Sequence, residues 1–506
     1  MAQANLAKYD TWSRLQLIAR LNELDIQKEK AENEKDLTAK ARELPRPYVV
    51  SSRPKRKIAL KFCYHGWEYC GLEKQKGYTP IPTVESVLES ALIATRLIDP
   101  VEGFEGAGYG KSGRTDRGVS AAGQVVSLWV RSMVAGGAND GERKEAEEVN
   151  LALDDEEVDD SFEPLTESME LVSQLLAEQD TPEVLVDDTQ HLLPTEGEIP
   201  YARVLNRVLP PSIRVLAWSP VHSDFEARFS CIGRHYKYFF RLHPGLDLSR
   251  MRDAAARMKG THDWRNFCRL DGSKGDVRYV RTIEDVTLEP VAKDEDPTLY
   301  VLNVQGHGFL WHQIRHIAAV LFLVGQGLEH PSVVTSMLNT DQSNPLPPFR
   351  EDEPLPEIVE GKPNYEMADA LPLVLWDCRY SDEDLNWIPD EPGYSQGFVQ
   401  SLETTYTQSL MQSTILSYFT RAAELRPPPV SASAGEFGRR DCVLLDMGAG
   451  RFKVNIKYKP LLKRERGSTP DEVLRRWREG KGGRRAEKRA ARAEQDEMRE
   501  TGDGDE

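Results

Sequence analysis

The chain lacks paired cysteines: Cys63, Cys70, Cys231, Cys268, Cys378 and Cys442 are scattered with no CxxC among them. That argues against a zinc site or a secreted disulfide framework and suits a reducing compartment. Long apolar runs are missing too. The longest, Ile317 to Val324, is far shorter than the roughly 20 residues that span a bilayer, so no membrane partner is expected. The opening residues, MAQANLAKYD, carry neither the apolar core of a secretory signal nor the Arg-rich, acid-poor character of a transit peptide. Aromatic residues are only 8% of the total against 29% charged, and a hydrophobic content of 39% indicates a soluble globular chain with polar, partly disordered segments.

Its 506 residues are too many for one ordinary domain and enough for two substantial cores. A formal charge of -17 opposes nucleic-acid binding only until its location is considered. Residues 138–200 hold 21 Asp and Glu against only Arg143 and Lys144, which leaves +2 for everything else. Residues 451–500, conversely, hold 17 Lys and Arg against 9 Asp and Glu. An acidic segment and a basic tail thus hang on a near-neutral body, and total charge decides nothing about the partner.

Composition and periodicity divide the chain. Residues 1–48 read as a short helix over Thr11 to Lys30 and a charged linker. Residues 49–137 form a first lobe: Ile58, Leu60, Phe62 and Tyr64 alternate as in a strand, Thr83 is placed to cap a helix lined by Val84, Leu88 and Leu92, and a glycine-rich loop leads to a strand from Gln124 to Val130. Residues 138–200 are an acidic, disordered insertion that interrupts one fold without separating two. A second lobe, 201–380, offers strands near Trp218, His235–Leu242, Arg278–Leu288 and Tyr300–Val304, a helix around Leu248–Met258 and a long apolar helix over Phe309–Val324. Both lobes run strand, helix, strands, which predicts an α/β (α+β) fold of two related units sharing a sheet. Residues 381–458 are poorly patterned, and 459–506 are a basic helix and tail that open at the capping box Thr469-Pro470-Asp471-Glu472.

Several constellations carry chemistry, each beside a plainer reading. Gly108-Tyr109-Gly110-Lys111-Ser112-Gly113 satisfies GxGxxG, but a turn and strand follow it where a dinucleotide site needs a helix, and a P-loop needs glycine where Glu105 stands. No nucleotide or other cofactor is expected. His312 and His316 have zincin spacing without its glutamate, Gln313 following His312; helix-surface histidines suffice, and no metal is expected. Arg315 is either on the exposed stripe of its helix or buried against an anion. Asp116, between Arg114 and Arg117 on a glycine-flanked turn, is a surface turn residue or an anion that neighbouring cations keep charged for work on a polyanion. Arg234 to Arg241 interleaves cations with aromatics, placing His235, Lys237 and Phe239 on one strand face and Tyr236, Tyr238 and Phe240 on the other. That is an ordinary core strand or a platform for unstacked bases.

Four segments in order resemble the TruA family of pseudouridine synthases over about Lys57 to Tyr380. They are Gly113-Arg114-Thr115-Asp116-Arg117-Gly118-Val119-Ser120-Ala121, Ala227-Arg228-Phe229-Ser230 ahead of Arg234-His235-Tyr236-Lys237-Tyr238, Gly308-Phe309-Leu310-Trp311-His312-Gln313-Ile314-Arg315, and Leu371-Pro372-Leu373-Val374-Leu375. Val374 departs from the family, which usually has glycine there. Ser120, where most branches have histidine, together with Arg265-Asn266-Phe267-Cys268 and Gly325-Gln326-Gly327, is similar to the eukaryotic branch acting on positions 38 and 39 of the tRNA anticodon arm.

The resemblance implies two α/β lobes forming a continuous, mostly antiparallel sheet, with RNA in the cleft between them. It implies uridine isomerisation without a cofactor, Asp116 serving as nucleophile or base. Arg114 would fill the space left by a flipped uridine, Tyr236 stack on the uracil, Arg315 pair with Asp116, and Leu375 close the pocket. Lys111, Arg117, Arg234, Lys237, Arg475 and Arg476 are weaker candidates for RNA contact. A homodimer, and a home in nucleus and cytoplasm, are further expectations. Catalytically silent RNA binding on the same fold, and the same chemistry on another tRNA or messenger RNA position, are the rival readings.

Overall fold

The computed structural model describes residues 53–75, 77, 79–133, 197–275, 277–291, 296–389, 392–424, 442–482 and 484. The helix expected at Thr11–Lys30, nearly all of the acidic segment and the end of the basic tail lie outside them.

The strands, in chain order, are β1 (Lys55–Tyr64), β2 (Gly110–Lys111), β3 (Ser120–Arg131), β4 (Ile213–Pro220), β5 (Gly233–Arg241), β6 (Gly260–Asp263), β7 (Val280–Pro290), β8 (Leu299–Gly306), β9 (Leu373–Arg379), β10 (Ile388–Pro389), β11 (Cys442–Asp446) and β12 (Phe452–Ile456). Ten of them make one sheet in the order β10-β4-β1-β3-β9-β5-β8-β7-β6, with β2 also on β3. Its pairings are antiparallel except between β3 and β9, where Ser120 lies opposite Val374 and Ala121 opposite Leu375. This parallel seam joins two half-sheets.

Each half has its own core. In the first, Ile58, Leu60 and Phe62 of β1 pack with Val84, Leu88 and Leu92 of helix α1 (Val84–Ala94) and Tyr201 and Leu205 of α2 (Tyr201–Val208). The Thr83 hydroxyl accepts a hydrogen bond from the Ser86 amide, so the cap read from sequence forms. In the second, Met251 and Ala254 of α3 (Leu248–Ala256), Ile317 and Leu321 of α4 (Gln313–Gly325), and Val334 and Met337 of α5 (Val333–Leu338) cover Tyr238, Phe240 and Val304. Tyr236 packs against both cores.

The structure departs from the sequence reading in three places. Residues 201–220 belong with the first half, because α2 packs into its core and β4 pairs with β1, so the chain returns to the first half after the acidic segment. The apolar helix begins at Gln313, not Phe309, because His312 takes a left-handed φ of 64° that an α-helix cannot contain. Residues 381–458, far from patternless, include β10, the exposed helix α6 (Pro392–Glu424) and the β11–β12 hairpin. The last helix, α7 (Pro470–Trp477), has the capping box of Thr469 and Glu472 that its sequence announces. No described helix is long and apolar enough to cross a membrane.

Candidate active site

The loop between β2 and β3 carries Asp116 and is fixed from beneath. The Tyr64 hydroxyl meets Thr115 Oγ1 at 2.7 Å in the core, and the Leu72 amide donates to the Thr115 carbonyl at 3.2 Å. Gly71 has φ 86°, and a Cβ there would lie 3.1 Å from the Thr115 carbonyl oxygen and 3.4 Å from Asp116 C, so only glycine lets this strand of chain approach so closely. At the start of the loop, Gln124 Nε2 donates to the Gly113 carbonyl at 2.9 Å, and Ser112 donates to Gln124 Oε1 at 2.6 Å. Ser120, at its end, accepts from the Gly66 amide at 2.9 Å. Few freedoms remain to the backbone around Asp116.

The second lobe supplies the facing wall. Asp116 opens into a cavity of about 690 Å³ lined also by Tyr236, Phe309, Trp311, His312, Ile314, Leu373, Arg114, Arg117, Arg228, Arg234, Lys274 and Arg281. That volume suits a ligand of nucleotide size. Phe309 meets Tyr236 edge to face, centroids 5.2 Å apart, and fixes the tyrosine ring. Burial pushes the Tyr236 phenol above its usual range, so it is a protonated donor at neutral pH.

The group nearest Asp116 is one that periodicity assigned to a helix surface. His312 Nε2 lies 3.3 Å from Asp116 Oδ2, with the histidine side chain only 8% exposed. Its Nδ1 is buried without a hydrogen-bond partner among the described residues. A left-handed backbone at a non-glycine residue costs of the order of 1–3 kcal/mol and persists where the surroundings impose it. The strained turn at His312 aims the ring at the carboxylate, and no periodicity rule could have found that. His316, its supposed surface companion, is buried beside the second core and hydrogen-bonds Lys362. The described residues contain no cluster of three or more His, Cys, Asp and Glu that could hold a metal ion.

Arg315 is also turned toward Asp116, but at 4.0 Å from Nη1 to Oδ2, the outer limit of an ion pair. Its Nε donates to the Ala368 carbonyl at 2.8 Å. Burial pulls the guanidinium below its ordinary value while Asp116 opposes the shift, so the exposed-stripe reading falls. Arg114 is half exposed at the cavity rim and pairs with Glu73 at 3.0 Å, not with Asp116. Lys111 is held by Glu85 at 2.5 Å and Glu73 at 3.2 Å.

Other sequence candidates lie elsewhere. Leu375 is fully buried in the first core, and Leu373, two residues earlier on the same strand face, lines the cavity in its place. Lys237 points to the opposite sheet face from Tyr236, its ammonium 3.7 Å from the Trp376 ring centroid. Arg234 spends its guanidinium on the Ser112, His307 and Arg228 carbonyls, tying the lobes together across the cavity. Arg117 is exposed on the cavity lining. Arg475 and Arg476 are exposed on α7, which packs on the turn Gly272–Lys274: a Cβ at Gly272 would lie 2.8 Å from the Val473 carbonyl oxygen. Asp271, just before that turn, and Lys274, its last residue, line the Asp116 cavity, so α7 stands at its margin.

Comparison with known proteins gives the same direction. The family model described as tRNA pseudouridine synthase matches residues 254–381. The tRNA pseudouridine(38/39) synthase of Saccharomyces cerevisiae is 33% identical over 469 residues, covering 89% of this chain and 87% of its own. The Homo sapiens protein of that name is 34% identical over 411 residues, 78% of this chain and 70% of its own. The tRNA pseudouridine synthase A of Methanosarcina mazei is 28% identical over 334 residues, 66% of this chain and 88% of its own.

Proposed function

The chain belongs to the TruA-type tRNA pseudouridine synthase family, and we propose that it isomerises uridine to pseudouridine in the tRNA anticodon stem-loop, at positions 38 and 39. The observation that carries this reading is the convergence of Asp116, Tyr236 and His312, from both lobes, on one nucleotide-sized cavity, with Arg315 behind the carboxylate at 4.0 Å.

The reaction breaks the bond from ribose C1′ to uracil N1 and forms one from C1′ to C5. C5 loses a proton and N1 ends with one, so the product is an isomer and the balance needs no redox partner. A stacked uridine is beyond reach of a carboxylate and must be flipped out, at a few kcal/mol. Arg114, half exposed at the rim, is the side chain to occupy the vacated space. Asp116 then starts the reaction, either by attacking C1′ or by removing a ribose proton. His312 and Arg315 hold its carboxylate in place. Tyr236, protonated and braced by Phe309, stacks on the uracil and serves proton transfer at C5, with Leu373 as the apolar wall.

A tRNA substrate favours a home in nucleus and cytoplasm, where tRNA is made and used, and the family resemblance favours a homodimer. Mapping pseudouridine in tRNA incubated with the pure protein tests the assignment: product at positions 38 and 39 is expected, and product only elsewhere defeats it.

A further inference from the structure

A second cavity, of about 510 Å³, lies between the loops Cys268–Leu270, Lys362–Tyr365 and Glu465–Ser468. Its basic groups are Arg269, Lys362 and Arg466, and its one acid is Glu465. The Lys362 ammonium donates to the Cys268 carbonyl at 3.0 Å and meets His316 Nε2 at 2.8 Å. Among the described residues it has no carboxylate at ion-pair distance. Arg466 uses Nη2 on Glu357 at 3.1 Å and on the Leu462 carbonyl, while its Nη1 is buried with no hydrogen-bond partner among the described residues. Cations withdrawn from water are ordinarily paired, and here two converge on an opening with donors to spare.

The cavity is continuous in chemistry with the active site. Arg269 lies 4.5 Å from the ring centroid of Trp311, a residue of the Asp116 cavity, and Lys274 approaches the same ring at 4.9 Å. On the other side it abuts α7, whose Val473 is part of its wall. We propose that this cavity is a subsite for a backbone phosphate of the RNA, bound by Lys362, Arg466 and Arg269 while the target uridine occupies the Asp116 cavity. The proposal rests on tRNA being the substrate. It assigns to the C-terminal segment a defined contact, made jointly with the catalytic body.

The ionisation of the neighbours makes the site testable by pH. Burial lowers Lys362 to about 8, holds the His316 imidazole neutral, raises the Cys268 thiol to about 12 and lifts the Tyr365 phenol well above its usual range. Arg269, Arg466 and Glu465 are the charged groups that complete the surroundings. Of the four shifted groups only Lys362 changes charge between pH 7 and 9. The ammonium is the binding form, so its contribution is present below about 8 and declines as pH rises through that value.

Binding of an anticodon-arm transcript by the parent, Lys362→Met and Arg466→Met decides the matter. Each substitution is expected to weaken binding roughly three- to tenfold at low salt and to flatten the log–log salt slope by about 0.9 for each phosphate that is no longer neutralised. Parental affinity should fall from pH 7.5 to 9, and Lys362→Met should lack that fall. Parental affinity and slope in both variants would overturn the subsite; Arg466→Met alone suffices if Lys362→Met does not fold. Inorganic phosphate should compete with the transcript only weakly, and phosphate that protects Lys362 from amine-reactive labelling where the transcript does not would make this a free-anion site. A parent that binds the transcript but forms no pseudouridine in tRNA would defeat the functional reading and leave the subsite standing.

Discussion

Lys111 and Arg114 of one cavity and Lys362 of the other, on either side of the Trp311 ring, are partnered differently. Around Asp116, Lys111 is answered by Glu85 and Glu73 and Arg114 by Glu73, while the carboxylate itself faces His312 and Arg315. Around Lys362 the ammonium meets a carbonyl, a neutral imidazole and, at 5.0 Å, the Tyr365 ring, with no carboxylate at ion-pair distance among the described residues. Paired ions hold each other in place, which is what chemistry at one carboxylate requires. A cation without a counter-ion is withdrawn from water at a cost that an incoming anion relieves, which is what binding a polyanion requires. Disturbing the first cavity should therefore strike rate, and disturbing the second should strike affinity.

The sharpest test of that division is Asp116→Asn. The amide keeps the size and loses the charge and basicity of the first step, so product formation should fall by about 10³-fold or more while tRNA affinity stays close to the parent's. Turnover within tenfold of the parent would move the chemistry to another residue and dissolve the comparison. Next comes Tyr236. Tyr236→Phe retains the ring against Phe309 and should lose about 10²-fold in single-turnover rate, whereas Tyr236→Ala should in addition lose the roughly 1–3 kcal/mol of a stacked base in affinity. Equal rates for Tyr236→Phe and the parent would remove the hydroxyl from proton transfer.

His312 offers a smaller and more discriminating effect. A polar contact of this kind contributes at most the about 1.5–3 kcal/mol of a hydrogen bond to a charged group, or up to roughly ten- to hundredfold in rate if it serves only to orient Asp116. His312→Phe should show that loss in single-turnover rate with affinity unchanged. His312→Gln, which can still donate, should recover much of it. Equal losses in both, with a lowered melting temperature, would show a role confined to folding the turn before α4.

The Asp116 loop, the alternation of β1, the caps of α1 and α7 and the aromatic strand β5 are all legible in the sequence, because each depends on neighbours within a few residues. What escapes it depends on tertiary context. The left-handed turn at His312 is imposed by packing, and it converts an apparent surface histidine into the nearest neighbour of Asp116. Leu373 and Leu375 share one strand face, yet only register against β3 and β5 puts Leu373 in the second core at the cavity wall and Leu375 in the first core. Helix α6 is hidden for a local reason. Thr404, Thr405, Ser409, Thr414 and Thr420 return their hydroxyls to carbonyls four residues back, a habit of residues with middling helix propensity, and apolar Leu410, Ile415, Leu416 and Phe419 stay exposed, so no buried stripe declares the helix.

The smallest expected effect belongs to the margin of the active site, where the division between rate and affinity is hardest to maintain. Arg475 and Arg476 are about two-thirds exposed, and their nearest acids, Glu479 at 4.0 Å and Glu472 at 3.8 Å, are on the same helix face at i,i+4 spacing. Such pairs contribute only about 0.3–0.5 kcal/mol, so α7 should keep its capping box and its packing on Gly272 when both arginines become glutamine. The change removes charge available to a phosphate. The double variant should bind tRNA a few-fold more weakly at low salt, with a salt slope shallower by up to about 1.8 if both residues contact phosphate, and it should modify the same uridines. A changed site of modification would show that α7 orients the anticodon arm over the cavity through the Gly272–Lys274 turn, and the basic segment would then belong to recognition as well as to affinity.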